Sequence, residues 1–504
     1  MISSHHRIGS RLKLRLRPRA CLAGFALLAL AVSGAVAQPR HMFLDPAFVR
    51  EAKGATLTVN SPTSSEIVIR ADKPWEEFMI TFYLSVIDDG GKLRMWYICR
   101  DKDKRPNVAY AESVDGVHWT KPELGVTEYH GSRANNLVGL TSLEGTVFRD
   151  DHTANPQERY VYVSTVYKGG GIYRFTSPDG YAWKRDERPL LPFEADSQNV
   201  TFWDARLGRY VAYIRAWNPA KPAVGANRKV VRLETDRLDL PSGIVPARPR
   251  DQLRPADRER DPFLVDELPD ALVTDELDPP DTDIYTNAIQ PYPLDPGWYV
   301  GFPAFYRHAI DSPHRNDGWT EIQFIGSRDG KTWERYGREP YLRPGLAGSE
   351  SASMLYIGPG LVVRGDEIWQ YGTGYRTTHG DVPAREQRGD GTIFRHVHRV
   401  DGFVSLDFTA AGSRAVCGPA KVSGSKLVLN VDTGALGDLR VGLLASNGDP
   451  IPGFSVEECD VVRINSTKAE VRWRGRPDLD ALLGREVQFE ISASRTKLYS
   501  LRFE

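Results

Sequence analysis

Ser113-Val114-Asp115-Gly116-Val117-His118-Trp119 decides the fold, because it returns as Ser177-Pro178-Asp179-Gly180-Tyr181-Ala182-Trp183 and again as Ser327-Arg328-Asp329-Gly330-Lys331-Thr332-Trp333. An Asp-Gly pair between two apolar runs is a tight-turn signal: the Asp side chain accepts hydrogen bonds from the backbone ahead of it, and Gly takes the positive φ that other residues resist. Two weaker copies complete the series, Thr235-Asp236 after the run Lys229 to Leu233, and Val400-Asp401-Gly402-Phe403. The aspartates then fall at 115, 179, 236, 329 and 401, with intervals of 64, 57, 93 and 72. The longest interval contains a Pro- and Asp-rich stretch, 240–280, which reads as an inserted loop; without it the period returns to about 60 residues, the size of a four-stranded propeller blade.

Between the turns run short segments rich in Val, Ile, Tyr, Phe and Trp, such as Leu93 to Tyr97, Tyr160 to Val163, Tyr210 to Ile214 and Ile368 to Tyr371, with almost no helical periodicity. The expected fold is all-β: a five-bladed β-propeller over 38–402. Beyond it, Lys426 to Val431, Leu439 to Leu444, Asp460 to Ile464, Ala469 to Trp473, Val487 to Ile491 and Lys497 to Phe503 read as strands of a β-sandwich over 403–504. The motif aspartates are expected to hold turns at the propeller rim, and Trp119, Trp183 and Trp333 to be buried between blades.

The N-terminus has the pattern of an export signal over residues 1–37: a basic stretch from Arg7 to Arg19, an apolar run from Leu22 to Val32 and Ala35-Val36-Ala37 as the cleavage site. The apolar run is too short to span a bilayer, and no later run reaches the required length, so a periplasmic or secreted protein without a transmembrane segment is expected. With 65 basic and 66 acidic side chains the net charge is −1. That balance gives no field to hold nucleic acid and favours a neutral partner. Cys99, Cys417 and Cys459 would remain after cleavage, and the last two leave room for one disulfide.

Five blades with S-x-D-G-x-x-W turns followed by a sandwich resemble the superfamily of invertase-like (family 32) and arabinanase-like (family 43) glycoside hydrolases. Arg399 to Leu406, joining the two domains, is similar to uncharacterised bacterial relatives. The signature motifs differ: W-x-N-D-P-x-G and E-C-P are absent, and Arg149-Asp150-Asp151 stands where R-D-P is expected. The resemblance implies an O-glycosyl hydrolase acting on an oligo- or polysaccharide.

In a propeller the innermost strands begin near the axis, so the residues preceding them converge. Those strands are expected at Phe78 to Ile87, Gly145 to Arg149, Gln198 to Trp203, Ile284 to Tyr292 and Ser353 to Val362. Just before them stand Glu77, Glu144, Asp196, Asp283 and Glu350. Glycoside hydrolysis needs one protonated and one ionised carboxyl, and crowded acids push their pKa values apart. Asp196 and Asp283 rank first, because Gln198, Asn199 and Tyr285 put hydroxyl-recognising groups beside them; Asp150 and Asp151 are runners-up. Trp75, Tyr285, Tyr306, Tyr371 and Tyr375 are expected near the pocket as sugar platforms, with Arg376 and His379 in the loop beyond.

No zinc spacing, phosphate-binding loop or G-x-S-x-G elbow occurs. No cofactor is expected, and a calcium ion at the axis has no motif in its support. The reading is an exported glycosidase removing a terminal sugar. Its alternatives are a non-catalytic carbohydrate-binding propeller and a sialidase-like hydrolase, in which Arg215, Arg376 and Arg399 would hold a carboxylate.

Overall fold

The computed structural model describes residues 39–167, 170–217, 228–240, 243 and 268–504. The expected export signal and most of the expected insertion lie outside the described residues.

The regular structure of the described residues is nearly all β; the one α-helix among them is Val382–Arg388, and no helix among the described residues is long and apolar enough to cross a membrane. Five antiparallel units follow one another. The first joins Met79–Asp89, Lys92–Arg100 and Pro106–Ser113 in order. Its middle strand is buried from Leu93 to Cys99, as a strand covered on both faces must be, and the one charge in that stretch, Arg94, donates to Tyr110 Oη at 3.0 Å. The second unit holds Thr146–Arg149, Tyr160–Val166, Gly171–Ser177 and Lys184–Arg185.

The third holds Val200–Asp204, Arg209–Trp217, Arg228–Thr235 and Asp270–Leu272. Its outer strand thus comes from within 240–280, read from sequence as loop. The fourth is divided between two sheets, one opening on Thr282–Thr286 and the other on Gln290–Tyr292. The fifth pairs Met354–Ile357 and Val362–Arg364 with Glu367–Tyr375, then Thr392–Arg399, and finishes with Ser64–Ile69 from the beginning of the chain.

Contacts between the units close a cycle. Met79–Asp89 touches Thr146–Arg149, which touches Val200–Asp204, which touches Gln290–Tyr292; Gly318–Gln323 touches Met354–Ile357, which returns to Met79–Asp89. The repeated turns join neighbouring units to one another. In each, the Ser hydroxyl accepts the Gly amide, at 2.9 Å for Gly116 and Gly180 and 2.8 Å for Gly330, and the Asp carboxylate accepts the next two amides. Each glycine has positive φ and lies against the preceding unit. A Cβ on Gly116 would fall 2.6 Å from Trp369 and Tyr371, on Gly180 2.6 Å from Trp96, and on Gly330 would overlap the Arg232 guanidinium and the Tyr213 hydroxyl. Their carbonyls accept from those units too: Tyr371 donates to Gly116 O at 3.0 Å, Trp96 to Gly180 O at 2.7 Å and Tyr213 to Gly330 O at 2.8 Å. Trp119, Trp183 and Trp333 are only half-buried; the glycines, rather than the tryptophans, make the closest approach to the neighbouring unit.

The last part of the chain forms a six-stranded and a four-stranded sheet. The sequence reading assigned all of 38–402 to the first domain, but Arg40–Met42 pairs with Thr496–Phe503, Val49–Lys53 with Ser413–Lys421, and Ala55–Val59 with Val404–Phe408. Residues 40–59 therefore belong to the C-terminal sheets. The expected strand Asp460 to Ile464 makes only isolated bridges, and Asn465–Glu470 takes its place.

Asp401, read as a rim turn, is wholly buried instead. It binds Arg40 Nη1 at 2.5 Å, Tyr292 Oη at 2.6 Å and Ser500 Oγ at 3.0 Å. A carboxylate without water must be paired, and these partners tie the fourth unit, the chain start and the last strand together. Cys99, Cys417 and Cys459 are buried and unpaired.

Candidate active site

Two expected acids meet where the second and third units adjoin. Glu144 stands two residues before Thr146–Arg149, and Asp196 precedes Val200–Asp204. Asn199 clamps the two approaches: its side-chain amide donates to Glu144 O at 2.9 Å and Ala195 O at 3.2 Å, and its backbone N–H also reaches Glu144 O, at 2.9 Å. Between them Ser197 is buried at φ 83°, a strained conformation for a residue with a Cβ. Arg215 Nη1 holds its hydroxyl at 2.5 Å. The turn leaves the Asp196 side chain 53% exposed, against 4% for its ion-pair partner Arg215, 3.3 Å away.

The two carboxyls differ sharply in electrostatics. Burial, and then the negative charge of Asp196, push Glu144 up to about 7, although Leu143 N and Tyr167 Oη hydrogen-bond its oxygens at 3.0 and 3.1 Å. Asp196 stands in a recess whose walls strip part of its hydration even though its side chain is 53% exposed, which works to raise it, but the charges of Arg215 and Arg228 and the Ser197 amide outweigh this and hold the carboxyl below the ordinary range. Near neutral pH one member of the pair can carry a proton while the other is ionised.

Asp283, ranked with Asp196 from sequence, is enclosed. Its carboxylate takes Arg228 Nη1 at 2.9 and 3.2 Å, Arg228 N at 3.3 Å and His308 Nε2 at 3.1 Å. It fixes Arg228, whose guanidinium lies over Tyr285 at 4.7 Å and Tyr306 at 5.1 Å, while Arg215 lies over Trp217 at 4.5 Å. His379 closes this floor. Its Nδ1 lies 2.9 Å from Asn316 O, a carbonyl that can only accept, so Nδ1 carries the proton and Nε2 accepts from Tyr285 Oη at 3.0 Å. Burial and the Arg228 charge push His379 down to about 4, leaving it neutral. Phe82 packs 5.6 Å from the His379 ring and 5.2 Å from Tyr375.

The other expected residues lie elsewhere or act differently. Glu77, Glu350 and Arg376 line a separate cleft of about 530 Å³. Trp75 is packed edge-on against Tyr129 in the core of the first unit. Gln198 crosses to the first unit, donating to Leu84 O at 2.8 Å. Tyr306, Tyr371 and Tyr375 are buried, with hydroxyls on the carbonyls of Asn316, Gly116 and Ile80, so they offer no open face to a sugar. Asp150 and Asp151 follow Thr146–Arg149, at the end away from Glu144; Tyr210 binds Asp150 at 2.6 Å, and Arg149 pairs with Asp151.

The three arginines set aside for a sialidase-like site do not form one cluster. Arg215 is beside Asp196, Arg376 is in the cleft, and Arg399 binds Asn430 and Asn465 of the terminal sheets. Sequence reasoning missed Arg228, His308 and Tyr167. A basic residue interrupting an apolar run, as Arg215 does before Ala216-Trp217, was the available signal, since a buried cation requires a carboxylate nearby. Among the described residues no three His, Cys, Asp or Glu side chains gather as a metal site.

No family model matches the chain, and no curated protein does. Solved structures do. A glycoside hydrolase is 14% identical at a TM-score of 0.44, covering 68% of this chain and 92% of its own. A family 43 arabinoxylan arabinofuranohydrolase from Bacillus subtilis, in complex with cellotetraose, is 11% identical at 0.38, covering 85% and 96%. An N-acetylgalactosamine deacetylase from F. plautii, in complex with blood group B trisaccharide, is 13% identical at 0.37, covering 88% and 96%.

Proposed function

We propose that the cycle of five units is a five-bladed propeller, that the terminal sheets form a sandwich beside it, and that the protein is an exported glycoside hydrolase with Glu144 as its acid and Asp196 as its ionised carboxylate. The observation that carries this reading is the pair itself: two carboxyls close enough to act on each other's charge, on backbone segments held together by Asn199, whose surroundings drive their pKa values in opposite directions.

In this mechanism Glu144, protonated, gives its proton to the glycosidic oxygen as the bond to the anomeric carbon breaks, so the leaving sugar departs as a neutral alcohol. Positive charge then grows on the ring. Asp196, kept ionised by Arg215 and Arg228, faces and stabilises it until a water forms the new bond to the anomeric carbon; the proton that water loses returns to the carboxyl pair, so that Glu144 is protonated again. Tyr167 orients the Glu144 carboxyl by its hydrogen bond, and Asp283 with His308 keeps Arg228 in place without touching substrate. The floor of Tyr285, Phe82 and His379 closes the pocket behind the pair, which suits the end of a saccharide chain rather than its middle.

The test is a hydrolysis screen of aryl glycosides and neutral oligosaccharides, repeated on Asp196→Asn and on Asp115→Asn at a turn. The expected result is turnover of at least one substrate, a loss of about 10²–10⁴-fold or more in Asp196→Asn with folding intact, and full activity in Asp115→Asn. Saccharide binding without turnover in the native protein would instead support the binding-only alternative.

A further inference from the structure

The cleft of about 530 Å³ is lined by Arg70, Lys73, Arg376 and Arg388 and by Asp72, Glu77, Glu350 and Asp390, four basic and four acidic side chains with no aromatic ring. Its volume lies within the range of small-molecule sites. Two of its acids are committed elsewhere. Asp390 accepts from Arg376 N, Thr377 N, Thr377 Oγ1 and Gly391 N, and Asp72 is paired with Lys121 at 2.5 Å. Glu350 bridges Arg70 at 2.6 Å and Arg376 at 3.5 Å. The Nε of Arg376 lies 3.5 Å from Glu350 and 3.7 Å from Asp390, with a hydrogen bond to neither.

The cleft is joined to the carboxyl pair by chain continuity. Glu77 leads into Met79–Asp89, which carries Phe82 of the pocket floor. Glu350 leads into Met354–Ile357, whose Tyr356 packs 4.7 Å from Phe82. Arg376 lies between Tyr375 and His379, whose rings both contact Phe82. Glu77 and Glu350 also precede the opening strands of the first and fifth units, as Glu144 and Asp196 precede those of the second and third. The segments that line the cleft therefore also carry the ring cluster of Phe82, Tyr356, Tyr375 and His379, and Glu77 and Glu350 stand at the same ends of their strands as Glu144 and Asp196 do of theirs.

From this placement we infer that the cleft is a second saccharide subsite, taking the neutral sugar units that follow the terminal one; the inference rests on the glycosidase reading of the pocket. The balanced charge leaves no net attraction for a carboxylated or sulfated chain. Without an aromatic lining, sugar faces cannot stack. What the cleft presents is guanidinium forks and carboxylates, which donate to and accept from adjacent hydroxyl pairs.

The experiment is affinity electrophoresis of the full chain through gels cast with arabinan, arabinoxylan, β-1,3-galactan or polygalacturonate, comparing the native protein with Arg376→Met, Glu77→Gln and Asp196→Asn. Expected is retardation by at least one neutral polysaccharide for the native protein and for Asp196→Asn alike, with the apparent dissociation constant raised at least 10-fold in Arg376→Met and Glu77→Gln. Should Arg376→Met fail to fold, Glu77→Gln, altered only at an exposed side chain, carries the comparison. Retardation undiminished in the cleft variants, absent from the native protein, or confined to polygalacturonate would overturn the inference. Failure of the glycosidase reading registers separately, as hydrolysis that persists in Asp196→Asn.

Discussion

Replacing Glu144 by Gln tests the mechanism and its cost to the fold at once. The amide keeps the size of the side chain and can still bind Leu143 N and Tyr167 Oη, but it cannot donate a carboxylic proton. Turnover of a substrate with a poor leaving group should fall by about 10²–10⁴-fold, or about 3–5 kcal/mol of transition-state stabilisation. Aryl glycosides whose phenol leaves without protonation should lose much less. In the native protein the basic limb of kcat/KM should lie near pH 7, where Glu144 loses its proton, and it should vanish in the variant.

The stability prediction has the opposite sign. Burial and Asp196 raise Glu144 from 4.5 to about 7 on folding, so the folded state binds a proton more tightly than the unfolded chain does. The contribution of this group is fully present below about pH 4.5 and is lost as pH rises to about 7. Each pH unit is worth about 1.4 kcal/mol, giving about 3 kcal/mol in all. Glu144→Gln has nothing to lose over that window. It should therefore melt several degrees above the native protein at pH 8 and close to it at pH 4, by calorimetry in matched salt. An inactive variant with unchanged or lowered stability at both pH values would refute the argument that Glu144 is held protonated by its surroundings, and unchanged turnover would refute its role as acid.

Asp283→Asn should act mainly on the fold, because it leaves the buried Arg228 without its counterion; a loss of about 3–5 kcal/mol is expected from chemical denaturation. If the variant instead melts normally and loses only turnover, Asp283 belongs with the catalytic pair. Gly180→Ala forces a side chain into positive φ and against Trp96, and should destabilise by about 2–5 kcal/mol. Normal melting of this variant would count against the close approach of the repeated turns to the preceding unit.

The recurrence of Ser-x-Asp-Gly-x-x-Trp was legible in the sequence because a tight turn is a local object: its hydroxyl, carboxylate and glycine act within four residues, so their spacing alone specifies it. The starts of Met79–Asp89, Thr146–Arg149, Val200–Asp204 and Met354–Ile357 were readable for the same reason, each within two residues of its expected place, whereas Asp283, expected to precede a strand, lies inside Thr282–Thr286. Which of the expected acids form a pair was not readable. That depends on the angle at which one unit packs on the next, and it brings Glu144 to Asp196, encloses Asp283 with Arg228 and His308, and sends Glu77 and Glu350 to a cleft. Nor could local pattern show that residues 40–59 join strands some 350 to 460 positions later, or that Asp401, in a turn-like Val-Asp-Gly-Phe, is buried against Arg40, Tyr292 and Ser500. Local sequence determines strands and turns through backbone conformation and short-range hydrogen bonds; burial and the meeting of charges are properties of distant segments, and those alone set the ionisation of Glu144.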